Sequence, residues 1–148
     1  MRARGKKIIS VAWTGIASTL LFKGQTVTST FQLPIDLHES SNSTMKLNSP
    51  KAKLLQDIDV FLWDEAPMTP LDAVNAVNRL LQRLCDPSKV FGGKLMIMGG
   101  DFRQIPPVVP HGTRTQIVEN SIKSGLIWNK FVKLELTINM RAGLGKIH

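Results

Sequence analysis

Val60-Phe61-Leu62-Trp63-Asp64-Glu65 joins four consecutive apolar residues to two adjacent carboxylates. An apolar run of this length reads as a strand buried on both faces, the kind found inside a parallel sheet. Asp64 and Glu65 then emerge at its carboxyl end, where open α/β sheets place their ligands. A carboxylate pair there can divide labour. One acid can hold a hydrated magnesium ion, which keeps most of its waters, while the other orients or deprotonates an attacking water. An acidic strand-to-loop turn that merely solvates itself fits the same six residues equally well.

A second stretch tips the balance. Lys94-Leu95-Met96-Ile97-Met98-Gly99-Gly100-Asp101-Phe102-Arg103-Gln104-Ile105-Pro106-Pro107-Val108 again runs a short apolar strand into a polar loop. Gly99 and Gly100 permit close backbone approach or positive φ. The Gln104 amide can hydrogen-bond a phosphate oxygen or a water. Pro106 and Pro107 stiffen the exit into an extended segment. Two such strand ends in one short chain are harder to dismiss as ordinary turns than either alone.

Composition sets the outer limits. The 148 residues suffice for one domain with a sizeable core, and no apolar run approaches a membrane span. The basic opening, Met1-Arg2-Ala3-Arg4-Gly5-Lys6-Lys7, lacks the long apolar stretch and cleavage site of a signal peptide, so neither leader nor membrane partner is expected. A single cysteine, Cys85, excludes an internal disulfide and is expected to pack on an apolar helix face. His38, in a Ser-rich loop, and His111, beside Gly112, are expected to be solvated rather than metal ligands.

The net charge of +8 is unevenly spread. Residues 1–35 hold five basic and no acidic residues, residues 36–86 five and eight, and residues 87–148 nine and three. Basic flanks around an acidic middle could track a phosphate backbone. Solvated surface lysines account for the same distribution.

Read in order, strands and helices alternate. Lys6–Ala12 reads as a β-branched strand, followed by a turn and a short helix after Trp13 that Gly24 ends. Thr26–Phe31 is Ser/Thr-rich, residues 38–50 form a surface loop, and a helical turn over Lys51–Gln56 precedes the Trp63 strand. Thr69-Pro70-Leu71-Asp72 starts a helix with Thr69 as N-cap. Its apolar face carries Leu71, Val74, Val77, Leu81 and Leu84. Residues 117–127 read as an amphipathic helix weakened by Gly125, and Phe131–Leu136 alternates like a strand. Met96 and Met98 read as core; Trp13 and Trp128 could stack on bases but are expected to be buried at element ends. The class is α/β, a mostly parallel sheet flanked by helices.

On these residues the chain resembles the petite-integration-frequency (PIF-type) ATP-dependent DNA helicases, including those of Helitron transposons. The resemblance spans nearly all of residues 6–142. It rests on Trp63-Asp64-Glu65-Ala66-Pro67-Met68, Phe91-Gly92-Gly93-Lys94, Gly99 through Val108, and Leu136-Thr137-Ile138-Asn139-Met140-Arg141. Each stretch is a weak match alone; their order and spacing are specific. The resemblance implies a RecA-like P-loop NTPase fold lacking its first strand and phosphate-binding loop, with residues 1–148 as part of the first RecA-like domain and the second absent. It implies Mg²⁺ with ATP as substrate. Asp64 would hold the metal mainly through water, and Glu65 would activate the water that attacks the γ-phosphate. Gln104 would sense that phosphate, and Arg141 would supply the arginine finger. Thr14, Gly15, Ile16, Ala17 and Ser18 match a motif that grips single-stranded DNA, and Pro106 and Pro107 would line the same track. Single-stranded and duplex DNA are the implied partners, 5′→3′ the implied polarity, and genome maintenance in the nucleus or mitochondrion the implied setting.

Two departures qualify this. No Gly-x-x-x-x-Gly-Lys-Ser/Thr loop occurs in the sequence, and Gly5-Lys6-Lys7 cannot replace it. In the family that loop lies about one βα unit before Lys6, so the chain is expected to start after it and to be weak or inactive in hydrolysis by itself. Thr28 stands where the family usually has the histidine of Thr-x-His-Ser. The family's first strand would lie between the Met98 strand and the Phe131–Leu136 strand, so unpaired sheet edges and self-association are expected. A truncated, transposon-derived remnant that binds nucleic acid through its basic flanks is the alternative reading.

Overall fold

In the computed structural model, which describes residues 5–104 and 113–138, the Trp63 run forms an inner strand of a parallel sheet. The elements are β1 (Ile8–Ala12), α1 (Gly15–Thr19), β2 (Gln25–Thr26), α2 (Val27–Phe31), α3 (Pro50–Asp57), β3 (Val60–Asp64), α4 (Leu71–Leu84), β4 (Leu95–Met98) and α5 (Arg114–Glu119). Strand order is β2-β1-β3-β4 and every pairing is parallel. The α/β class with a parallel sheet is therefore what the sequence led one to expect.

Register shows which face is dry. Phe61 pairs with Ile9 and Met96, and Trp63 with Val11 and Met98. These six share one sheet face, because side chains alternate along a strand. All six belong to the core or pack against it, and Phe31 of α2 meets both rings, at 5.4 Å from Phe61 and 6.3 Å from Trp63. The α4 residues Val74, Val77, Leu80, Leu81 and Leu84 complete this core. The opposite face is wetter: Ile8, Ser10, Leu62 and Ile97 are half-buried and Leu95 is exposed. The strand expected to be buried on both faces is thus fully buried on one, because the core built from α2, α3 and α4 sits there.

Helix starts follow local chemistry. Ser49 caps α3 by accepting from the Ala52 N–H at 3.2 Å, with Pro50 at the first turn. Thr69, expected to cap α4, does not. Its hydroxyl accepts from the Trp63 indole Nε1 at 3.2 Å, and Pro70 takes the cap position with no side-chain bond. A fully buried indole N–H needs an acceptor, and that need outweighs the cap. Among the described residues no buried side-chain polar atom lacks a partner. The loop at residues 38–50 is a loop as expected, but a fastened one. Arg79 of α4 donates to Asn42 Oδ1 at 3.1 Å and to the carbonyls of Glu39 and Ser41, and Met45 is buried.

Several local expectations are corrected. Gly24 lies beyond α1, which ends at Thr19; what constrains it is the Ser18 carbonyl oxygen, 2.1 Å from where a Cβ would stand. Cys85 is exposed at the C-cap of α4 rather than packed on its apolar face, since the helical path ends there with φ −124°. The helix expected over 117–127 is broken into α5 and two short 3₁₀ turns, Ile122–Ser124 and Leu126–Lys130. The Asn120 carbonyl accepts from the Leu71 N–H at 2.9 Å and so leaves the helical ladder. Phe131–Leu136 joins no strand ladder among the described residues. Among these residues no helix is long and apolar enough to cross a membrane.

Candidate nucleotide and DNA site

Parallel pairing brings the strand ends level. Ala12 of β1 stands opposite Asp64, and Trp63 opposite Met98, so three loops leave the same end of the sheet. They carry Thr14–Ser18, Asp64–Glu65 and Gly99–Gln104. This is the placement that open parallel sheets use for ligands.

The β3 loop turns sharply. Asp64 Oδ1 accepts from the Glu65 N–H at 2.9 Å, and Glu65 itself is left-handed, with φ 49° and ψ 37°. The next N–H, from Ala66, donates to the Gly99 carbonyl at 3.0 Å, while the Gly99 N–H donates to the Trp63 carbonyl at 2.9 Å. These bonds tie the ends of β3 and β4 together. A Cβ on Gly100 would stand 2.3 Å from Pro67 Cδ, and its φ is 151°, so glycine is required at this contact. A Cβ on Gly99 would lie 3.8 Å from Asp64 Oδ1, which sets the carboxylate against the β4 end.

Asp64 and Glu65 are both half-buried, and neither has an ion-pair partner among the described residues. The sheet's other acids are neutralised at its opposite end, where Asp59 meets Lys6 and Asp57 meets Lys7. Two adjacent carboxylates left without a cation form a hard-oxygen set that fits Mg²⁺. No group of three or more His, Cys, Asp or Glu suited to a metal occurs among the described residues. One or two carboxylates suffice for magnesium, which takes its remaining ligands from water and phosphate.

In the β4 loop, Asp101 Oδ1 accepts from the Arg103 N–H at 2.9 Å and from Arg103 Nε at 3.1 Å. The backbone bond is the main cause holding the Asp101 carboxyl below its ordinary range; the Arg103 side chain adds to it, and the Gln104 side chain contributes less. Gln104 is exposed, its backbone N–H bonded to the Asp101 carbonyl at 3.1 Å. It shares the sheet end with Asp64 and Glu65, with no hydrogen bond to either among the described residues. Arg141, Pro106 and Pro107 lie outside the described residues.

At the end of β1, Thr14 caps α1, its Oγ1 accepting from the Ala17 N–H at 3.2 Å. Ser18 donates its hydroxyl to the Gly15 carbonyl at 2.7 Å, and both Ala17 and Ser18 are buried. Thr14 is half-buried, while Gly15 and Ile16 are exposed, Ile16 strongly so. Sequence reasoning missed an aromatic and cationic cluster beside the site. Phe102 packs edge-on against Trp128 at 5.2 Å, Trp128 meets Phe131 at 6.1 Å, and Lys123 Nζ lies 4.0 Å over the Phe102 ring. An open groove of roughly 770 Å³, lined by Gln25, Thr26, Ser29, Pro50, Lys51 and Leu54, involves none of the residues singled out from the sequence.

A parallel α/β sheet with two acids and a Gly-Gly loop at its carboxyl end places a candidate ligand site there. The comparisons with known proteins narrow this. The sequence matches the PIF1-like helicase family over residues 1–147, and the chain belongs to that family. It is 32% identical over 114 residues to the ATP-dependent DNA helicase Pif1 of Psychrobacter sp., covering 76% of this chain and 17% of that protein. The Bdellovibrio bacteriovorus ATP-dependent DNA helicase Pif1 is 32% identical over 120 residues, covering 79% of this chain and 27% of its own length. The chain thus spans about a sixth to a quarter of these relatives. Among solved structures, Bacteroides Pif1 bound to ssDNA matches with a TM-score of 0.66 at 31% identity, over 83% of this chain and 28% of that one. Bacteroides Pif1 in complex with ADP-AlF3 and ssDNA matches with a TM-score of 0.72 at 28% identity, over 84% and 30%.

Proposed function

We propose that this chain forms part of the first RecA-like motor domain of an ATP-dependent DNA helicase, coupling Mg-ATP hydrolysis to movement along single-stranded DNA and opening of duplex DNA. The observation that carries the reading is the pair Asp64 and Glu65, half-buried, without a cationic partner among the described residues, at the level end of the sheet beside the Thr14–Ser18 and Gly99–Gln104 loops. Its kinship with helicases supports the same reading.

Each group then has a task. Asp64 would hold Mg²⁺, and the metal would supply charge neutralisation for the phosphates. Glu65 accepts the proton of the attacking water. Gln104 reads the γ-phosphate through its side-chain amide. Arg141 adds positive charge to the developing transition state. Thr14, Gly15, Ile16, Ala17 and Ser18 offer main-chain amides and side chains to a DNA strand, with Pro106 and Pro107 along the same track. Repair, recombination or telomere maintenance, in the nucleus or the mitochondrion, is the setting that goes with this activity.

The test is Glu65→Gln in a polypeptide that carries these residues behind a Gly-x-x-x-x-Gly-Lys-Ser/Thr loop. DNA-stimulated ATP hydrolysis is expected to fall at least about a hundredfold while ATP binding is retained. Hydrolysis within a few-fold of the parent would overturn the assignment.

A further inference from the structure

Asp64 and Glu65 lie in a loop whose two ends meet inside the core. Trp63, immediately before them, and Thr69, which ends the 3₁₀ turn Ala66–Met68 after them, are both fully buried. The Trp63 indole Nε1 donates to Thr69 Oγ1 at 3.2 Å, so a bond between two core side chains closes a ring that contains both acids. The backbone tightens the same ring. The Met68 N–H donates to the Glu65 carbonyl at 3.1 Å, and the Thr69 N–H to the Ala66 carbonyl at 3.0 Å. Its outer side rests on the loop after β4, through the Ala66 N–H on the Gly99 carbonyl and Pro67 against Gly100.

Two concessions accompany this arrangement. Glu65 takes a left-handed backbone, and α4 starts without a side-chain cap although Thr69 stands directly before Pro70. A threonine ahead of a proline at a helix start is well suited to capping. Here its hydroxyl is turned to the indole instead. Departures of this kind gather where a precise geometry is needed.

We propose that Thr69 is a positioning residue for ATP hydrolysis: acting through the Trp63 indole, it sets the place and direction of the Asp64 and Glu65 carboxylates. The inference rests on the helicase reading and adds a residue to it. Thr69 has no exposed surface, so it touches neither nucleotide nor DNA, and its influence passes through the loop. Without the hydroxyl, a buried indole N–H has no acceptor, and the loop must shift to supply one or admit water. A displacement near 1 Å at a reacting group is worth on the order of a hundredfold in rate. Contacts that bind the substrate lie elsewhere, so the loss falls on kcat.

The variants are compared in the polypeptide that carries these residues behind a Gly-x-x-x-x-Gly-Lys-Ser/Thr loop. Thr69→Val keeps the side-chain shape and removes the acceptor. Its kcat is expected to fall about 10–100-fold, while KM and the affinity for a fluorescent ATP analogue stay within about twofold. Thr69→Ser restores an acceptor and should hydrolyse ATP at close to the parent rate. Trp63→Phe breaks the same bond from the donor's side, lowers kcat likewise, and gives the reading if the valine variant does not fold. Val77→Ala, a buried change in α4, controls for lost stability: Tm should drop by several degrees with kcat near the parent's. Glu65→Gln, measured beside them, separates two failures. If Thr69→Val hydrolyses like the parent and Glu65→Gln does not, positioning by Thr69 is refuted and the helicase reading stands. If both hydrolyse like the parent, that reading falls and takes the inference with it. The inference is also overturned if Thr69→Ser is as impaired as Thr69→Val, if the loss appears in KM with kcat unchanged, or if Val77→Ala loses as much kcat.

Discussion

Glu65 is where local strain and chemistry meet. A non-glycine residue with φ 49° and ψ 37° sits in a region that costs an L-residue about 1–2 kcal/mol. Such outliers persist where the surroundings over-determine them. Here the Ala66–Gly99 and Gly99–Trp63 backbone bonds on either side fix the turn, and Asp64 Oδ1 takes the Glu65 N–H. Glycine at this position relieves the strain at the expense of a more flexible unfolded chain. Glu65→Gly is therefore expected to stabilise the fold by up to about 1 kcal/mol, while Glu65→Gln, with the same backbone demand, leaves stability within about 0.5 kcal/mol of the parent. Urea unfolding of the three chains checks this. A destabilised glycine variant would mean that the Glu65 side chain holds the turn, and the strain argument would fail. The placement of the two acids at the carboxyl end of a strand was legible in sequence, since a buried strand demands the apolar run that precedes them. The left-handed turn between them was not, because nothing in Asp-Glu-Ala-Pro calls for positive φ.

At the scale of elements, legibility followed the strength of the local pattern. The run Val60–Asp64 and the period of α4 were readable because burial demands apolar residues at those spacings whatever lies around them. Misreadings occurred where a distant partner overrides a local signal. Thr69 is captured by the Trp63 indole, the 117–127 helix yields its Asn120 carbonyl to Leu71, and Phe131–Leu136 has the alternation of a strand with no ladder to join. The neighbouring glycines ahead of β4 show how far apart two like-looking residues can be. Both are left-handed, Gly92 at φ 62° and Gly93 at φ 79°. A Cβ on Gly92 would stand 2.2 Å from the Leu81 carbonyl oxygen, part of the α4 backbone, whereas on Gly93 it would meet only Lys89 Cδ, at 3.1 Å. A backbone cannot step aside as a lysine stem can. Gly92→Ala is expected to lose about 2–4 kcal/mol, strain plus overpacking, against about 1 kcal/mol for Gly93→Ala. Equal losses in thermal or urea unfolding would show that the α4 contact is not what fixes Gly92.

For the whole molecule, charge and sequence content make opposite demands on the two proposed ligands, DNA and ATP. Five basic residues without an acid in 1–35, and nine against three in 87–148, surround an acidic middle that carries Asp64 and Glu65. A phosphate backbone gains from those flanks over several contacts. ATP gains from them far less, because tight triphosphate binding relies on a loop of backbone amides with a lysine, and no Gly-x-x-x-x-Gly-Lys-Ser/Thr occurs in these 148 residues. The purified chain is accordingly expected to bind single-stranded DNA at low salt, to bind Mg-ATP more weakly than micromolar, and not to unwind duplexes. If about four phosphates are neutralised, the logarithmic salt slope is about −3, and raising salt fourfold weakens DNA binding roughly sixty-fold. Fluorescence anisotropy with a labelled oligonucleotide, run as a salt series beside an ATP titration, reads both. Micromolar ATP affinity would show that another part of the sheet end substitutes for the missing loop. DNA binding that ignores salt would place its source in stacking on the Phe102–Trp128 cluster rather than in the basic flanks.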